Sequence, residues 1–283
     1  MGNQEIMKSM RSQTKLKRLA ILVLPLFLIF GCTSTDDGTD WQLVWSDEFD
    51  GAEGATLDQS KWNFEIGRGQ NGWGNNELQY YTDRSENVSL DRDGNLIITA
   101  REENFEGANY TSARITTQDK LEITYGRIEA RIKTPFGQGL WPAFWLLGTS
   151  NSGEIWPQIG EIDVMELRGQ QPTKIASTAH GPGYSAGNGI SGDYTLSNSR
   201  FDTEFHVFAA EWFTDKIDFY VDGFLHHTVT KEQIENAGNE WVYNDPFFLI
   251  LNVAVGGNYV GSPNQTTRFP QTLIIDYVRV YSE

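Results

Sequence analysis

Three carboxylates fall within six residues of an otherwise apolar run, Glu161, Asp163 and Glu166 in Gly160-Glu161-Ile162-Asp163-Val164-Met165-Glu166-Leu167. No Lys or Arg lies inside the run, and Arg168 only follows it. Close like charges without partners cost stability, so a structural account needs a cation or a basic partner. Hydrolysis of a glycosidic bond supplies a chemical account. With retention of configuration it takes two carboxyls about 5–5.5 Å apart, one ionised to attack the anomeric carbon and one protonated to serve the leaving group. Mutual repulsion raises the pKa of one member and keeps it protonated near neutral pH. Once the first carboxylate has become an ester its charge is gone, the partner's pKa falls, and the same residue can act as base towards water.

Such a site needs a strand of a particular shape. In a regular strand Glu161 and Asp163 share a face, and Glu166, an odd number of positions away, points to the other. A β-bulge at Val164-Met165 puts all three on one face. Period-two alternation elsewhere supplies the sheet: Leu96-Ile98-Ala100, Ile128-Ala130-Ile132, Ile217-Phe219-Val221, and Ile274-Asp276-Val278-Val280 opposed to Ile275-Tyr277-Arg279-Tyr281. Asp93-Gly94-Asn95 and Asp222-Gly223 are hairpin signals, with Gly supplying positive φ. Phe247 to Val255 reads as a strand buried on both faces, interrupted by Asn252, whose amide needs partners. Lys231 to Ala237 is the only plausible helix after the leader. Many antiparallel strands on short turns predict an all-β sandwich or barrel.

Composition narrows the partners. Residues 32–283 carry 17 basic against 37 acidic side chains, a field that repels nucleic acid and anionic lipid headgroups. The single cysteine, Cys32, forms no intrachain disulfide and no cysteine-rich metal site. Before it, a basic stretch leads into the apolar run Leu19 to Phe30, short for a membrane span and right for a signal peptide. Ile29-Phe30-Gly31-Cys32 resembles a bacterial lipobox, which implies cleavage after Gly31, lipidation of Cys32 and, with Thr33 next, an outer-membrane anchor. The expected organisation is a leader over 1–31, a flexible acidic tether over 32–40 and one domain over 41–283.

The six-residue acid cluster also resembles the signature of glycoside hydrolase family 16, E-x-D-x-x-E in its bulged version. The likeness runs from Trp45-Ser46-Asp47-Glu48-Phe49 through Trp73 to Thr82 and Gly139 to Leu147 and on to Ile275 to Tyr281. It implies a β-jelly-roll of two curved antiparallel sheets with a concave substrate cleft. By that likeness Glu161 is the nucleophile, Glu166 the acid/base, and Asp163 the residue that tunes the nucleophile. No cofactor is implied for catalysis. One structural Ca²⁺ is, held through backbone oxygens around Glu48 and Gly94 and the carboxylate of Asp276.

Trp141 and Trp145 are four apart in an expected strand, hence on one face about 13 Å apart, which suits stacking on neighbouring sugars. Their setting, Gly-Leu-Trp-Pro-Ala-Phe-Trp-Leu-Leu, resembles the β-1,3-glucanase subgroup. That likeness adds Asn75, Arg114 and His180 as hydrogen-bonding candidates near the cleavage point, with Trp241 and Asn252 further along and Glu77 and Tyr81 as weaker candidates. A sulfated galactan requires a basic cleft, whereas among these candidates only Arg114 is a fixed cation. The expectation is therefore a monomeric endo-acting hydrolase of laminarin-type β-1,3-glucan, with mixed-linkage glucan (lichenan) as a side substrate. Agarase- or carrageenase-like galactan hydrolysis, a lectin-like glucan-binding protein and transglycosylation stay open as alternatives.

Overall fold

The structure, a computed structural model, describes residues 39–149 and 153–283. The expected leader, Cys32 and all but the last two residues of the tether lie outside the described residues. The chain first forms β1 (Gln42–Asp47), β2 (Asn63–Phe64), β3 (Gln79–Tyr81), β4 (Val88–Leu90), β5 (Leu96–Phe105) and β6 (Ala108–Ser112). It continues through β7 (Arg114–Thr116), β8 (Gly126–Lys133), β9 (Leu140–Gly148), β10 (Glu161–Leu167), β11 (Lys174–His180) and β12 (Ile190–Thr195). Then come β13 (His206–Trp212), β14 (Lys216–Val221), β15 (Phe224–Thr230), helix α1 (Lys231–Asn236), β16 (Phe247–Val255) and β17 (Gln271–Ser282).

Two sheets result. The larger runs β15-β14-β13-β8-β17-β5-β6-β3, with β1 also on β17 and β4 also on β5. The smaller runs β12-β11-β10-β9-β16-β7-β2. Pairing is antiparallel except between β3 and β6. The alternating residues read from the sequence meet between the layers: Leu96, Ile98 and Ala100, Ile128, Ala130 and Ile132, Ile217, Phe219 and Val221 are all buried in one cluster. All nine residues of β16 are buried, Asn252 included, as its unbroken apolar pattern requires. At the β14–β15 hairpin Asp222 and Gly223 both take positive φ, 51° and 78°, the pair of left-handed residues that a tight two-residue turn needs. Thr230 caps α1 by accepting a hydrogen bond from the Gln233 amide at 3.1 Å.

The last strand departs from its sequence pattern. Leu273 and Ile275 are buried before Asp276, Val278 and Val280 after it, so the inward set changes parity. The register of β17 on β8 slips between Ile275 and Tyr277, and Asp276 is the residue in that bulge. Its carboxylate pairs with Arg131 of β8. Glu48 is held bidentately by Arg279, Nε to Oε1 at 2.9 Å and Nη2 to Oε2 at 2.8 Å. Gly94 sits at positive φ in the β4–β5 turn. The calcium site expected at Glu48, Gly94 and Asp276 does not fit this arrangement, because a guanidinium already neutralises the carboxylate on which it relied.

Candidate active site

The bulge foreseen at Val164-Met165 is present. Asp163 faces Trp145 and Thr178 across the two neighbouring strands, whereas Glu166 faces Ala143 and Ala176, and the register slips between them on both sides. Three cross-strand rows follow. Arg114, Asn252, Ala143 and Glu166 are successive partners across β7, β16, β9 and β10. Ile250, Trp145, Asp163 and Thr178 form the second row, and Leu147, Glu161 and His180 the third. Because partners in a row share a face, one sheet face collects all three acids, both indoles, Arg114, Asn252 and His180. The opposite face, with Phe144, Leu146, Ile162 and Leu167, goes to the core.

The acids are raised in pKa together. Burial pushes Glu161 well above the usual carboxylate range, and the neighbouring charge of Asp163 adds to it. Asp163 is pushed up by burial and then by Glu166, with a hydrogen bond to Glu161 working the other way. Glu166 is raised by burial and lowered in part by the Trp141 indole, whose Nε1–H donates to Oε1 at 2.8 Å. Groups coupled in this way titrate as a set, and the set retains protons above the pH at which a solvated carboxyl loses them. His180 closes the cluster, with Nε2 3.1 Å from Asp163 Oδ2 and 3.7 Å from Glu161 Oε1. Glu161, Asp163 and His180 are also the one group among the described residues close enough to share a metal ion. Retaining glycoside hydrolysis draws on none.

Around the acids stand rings held by polar contacts. Trp145 Nε1–H donates to Asn252 Oδ1 at 2.8 Å, Asn252 Nδ2–H donates to the Tyr81 hydroxyl at 3.2 Å, and that hydroxyl donates to Glu77 Oε2 at 3.3 Å. Asn252 thereby obtains the partners its burial demands, and it orients an indole instead of facing open solvent. Arg114 lies between two rings, its Cζ 4.6 Å from Trp73 and 4.8 Å from Trp145, and it pairs with Glu65. Asn75 is half-buried, its Nδ2 3.5 Å from Glu77 Oε1. Trp73 rides a turn in which Asn71, Gly72, Trp73, Gly74 and Asn76 all have positive φ, a costly backbone for Asn and Trp.

Trp241 is the exception among the expected sugar contacts. It is 5 % exposed and packs edge-on against Tyr243, 4.8 Å between centroids, so it belongs to the core and presents no open ring face. Other residues went unseen in the sequence. Trp156 lies 6.3 Å from His180 on a segment where Ile155 is 75 % exposed, and Tyr259 lies tilted 5.0 Å from Trp141 with Arg168 over its ring at 4.1 Å. A Trp five positions before the acid cluster was a usable signal. Tyr259 and Arg168 come together only through folding.

Known proteins resemble this arrangement closely. The family model described as glycosyl hydrolases family 16 matches residues 72–279. A beta-glucanase of Rhodothermus marinus is 39 % identical over 97 % of this chain and 98 % of its own. The catalytic domain of an endo-1,3-beta-glucanase (laminarinase) from Thermotoga petrophila superimposes with a TM-score of 0.81 at 50 % identity, covering 86 % of this chain and 98 % of that one. The endo-beta-1,3-glucanase of Pyrococcus furiosus gives 0.82 at 48 % identity, over 87 % and 96 %. A bulged strand bearing three acids, inside a two-sheet all-β fold that these relatives share over nearly their whole length, leaves one conclusion: the chain belongs to family 16 of the glycoside hydrolases.

Proposed function

We propose that this protein hydrolyses internal β-1,3 bonds of a glucan of the laminarin type with retention of configuration. The observation that carries the reading is the single sheet face on which the bulge sets Glu161, Asp163 and Glu166 alongside the Trp141 and Trp145 indoles of the neighbouring strand. In the proposed cycle Glu161 attacks the anomeric carbon while Glu166 gives its proton to the departing sugar oxygen. Burial raises Glu161 and Asp163 together, so the hydrogen-bonded pair shares a proton, and the state that attacks is the one with the proton on Asp163 and the charge on Glu161. Formation of the glycosyl ester removes the charge on Glu161, so Glu166 is left as base for the incoming water.

A neutral glucan is favoured over a sulfated galactan because the cleft arginines are engaged, Arg114 by Glu65 and two rings, Arg168 by Tyr259. Neutral sugars ask for stacking faces and hydrogen bonds, which Trp141, Trp145, Asn75 and His180 offer. Reducing-end release from laminarin, lichenan, agarose and κ-carrageenan, side by side with Glu161→Gln, tests the reading. Laminarin should be cut first and the mutant should be silent. Preference for a galactan would overturn the substrate, and full activity in the mutant would overturn the mechanism.

A further inference from the structure

A bulge that aims catalytic acids must itself be held. Val164 has no cross-strand partner in either register, as the extra residue of a bulge. Ser177 is the single residue of β11 between the partners of Asp163 and Glu166, and it is fully buried on the core side. Its hydroxyl donates to the Val164 carbonyl oxygen at 2.7 Å. Since a hydroxyl has one hydrogen, the 3.1 Å contact from Ser177 Oγ to His226 Nε2 requires the imidazole to donate. His226 comes from the other sheet, on its edge strand β15. It also lies at a register slip, for Leu225 faces Tyr220 while His227 faces Phe219.

The space for this reach is built in. Gly192 of β12 faces Ser177, and a Cβ there would stand 2.2 Å from the His227 ring. His227 stacks on Phe219 at 5.6 Å, and Tyr194 flanks His226 at 5.7 Å. Burial holds His226 down to about 4, so it stays neutral and keeps the tautomer with hydrogen on Nε2.

We propose that Ser177 and His226 are positioning residues for the reaction: the chain His226 Nε2–H to Ser177 Oγ–H to Val164 C=O fixes the bulge that aligns Glu166 with Glu161 and Asp163. This rests on the catalytic reading above. Neither side chain touches the cleft, so substrate binding does not depend on them directly, whereas a displacement of about 1 Å between acid and nucleophile costs about a hundredfold in rate.

The experiment is steady-state hydrolysis of laminarin by the intact protein and by Ser177→Ala, His226→Phe, His226→Gln and the double variant Ser177→Ala/His226→Phe. Ser177→Ala should lower kcat by about tenfold to a hundredfold with KM changed less than about threefold. His226→Phe should lower kcat by a smaller factor, and His226→Gln, whose amide can donate in place of the imidazole, should restore most of it. The double variant should be no slower than Ser177→Ala alone, since both act through one carbonyl. An unchanged kcat in Ser177→Ala, effects on KM alone, or multiplicative losses in the double variant would each overturn the proposal. If Ser177→Ala does not fold, the contrast between His226→Phe and His226→Gln decides. Glu161→Gln runs alongside: its silence with an unimpaired Ser177→Ala sinks only this inference, and its activity sinks the catalytic reading first.

Discussion

Both sheets carry acidic side chains on strands, and they treat them oppositely. On the larger sheet Arg127 reaches Glu129 at 2.8 Å and Glu211 at 2.6 Å, while Tyr220 and Tyr281 donate to the same two acids at 2.8 and 3.2 Å. On the smaller sheet Glu161, Asp163 and Glu166 share one face, and among the described residues no Lys or Arg forms an ion pair with them; His180 alone comes close, to Glu161 and Asp163. Even the device is shared, since a bulge displays Asp276 to Arg131 in β17 and another displays Glu166 to its fellow acids in β10. The same backbone irregularity gives a neutral pair in one place and a proton-holding cluster in the other. What separates structure from chemistry here is the partner, not the backbone. Correspondingly, Arg279 holds Glu48 below its ordinary pKa, while burial and mutual repulsion hold the trio above theirs.

Removing one charge from the cluster tests that contrast most severely. Glu161→Gln should cut laminarin turnover by more than about 10⁴-fold while the glucan still binds, measured by reducing-end release and calorimetric titration. Glu166→Gln should lose about 10²- to 10⁴-fold, the usual range for a general acid, and flatten the alkaline side of the pH–rate curve. A subtler variant acts on the hydrogen bond alone. Trp141→Phe keeps a ring but removes the N–H that favours the Glu166 carboxylate, so the pKa of Glu166 should rise and the alkaline limb should move to higher pH. A limb that stays put or moves down would show that Trp141 does not set the proton affinity of Glu166.

Stability should respond with opposite sign in the two regions. A carboxyl whose folded pKa lies above its unfolded value costs stability once pH exceeds the unfolded pKa near 4. Glu161→Gln should therefore melt higher than the wild type at pH 7, the gap closing towards pH 4. For Glu48 the folded pKa is depressed, so its contribution is present above the unfolded value and disappears as pH falls through the folded one. Arg279→Ala should lower the melting temperature slightly at pH 7, by the equivalent of about 1 kcal/mol or less for a partly exposed pair, and not at all in acid. Thermal melts across pH 3–8 read both effects, and a parallel response of the two variants would erase the distinction.

The catalytic strand was legible because its chemistry and its apolar pattern conflict, and one bulge at Val164-Met165 resolves the conflict. Asn252 was legible for a similar reason, as a lone amide in an apolar strand. The bulge at Asp276 was not. There a slip in pairing looks, in the sequence, like undisturbed alternation, and the carboxylate seemed to need a cation when Arg131, 145 residues away, was its partner. Trp241 misled because a ring placed for packing and a ring placed for stacking on a sugar have the same local surroundings. Ser177, His226, Tyr259 and Arg168 became visible only when distant strands were laid side by side.

β1 lies on β17, with Gln42 opposite Ser282 and Asp47 opposite Val278. The first and last strands of the domain thus lie side by side, and the two ends of its chain are neighbours. A short linker between those two strands, with the chain opened instead at the Asp93-Gly94 turn, would keep every strand pairing and change only the order in which the strands are made. Such a circular permutant should fold and cut glucan, because the acid-bearing face depends on which strands are neighbours and not on which of them is synthesised first.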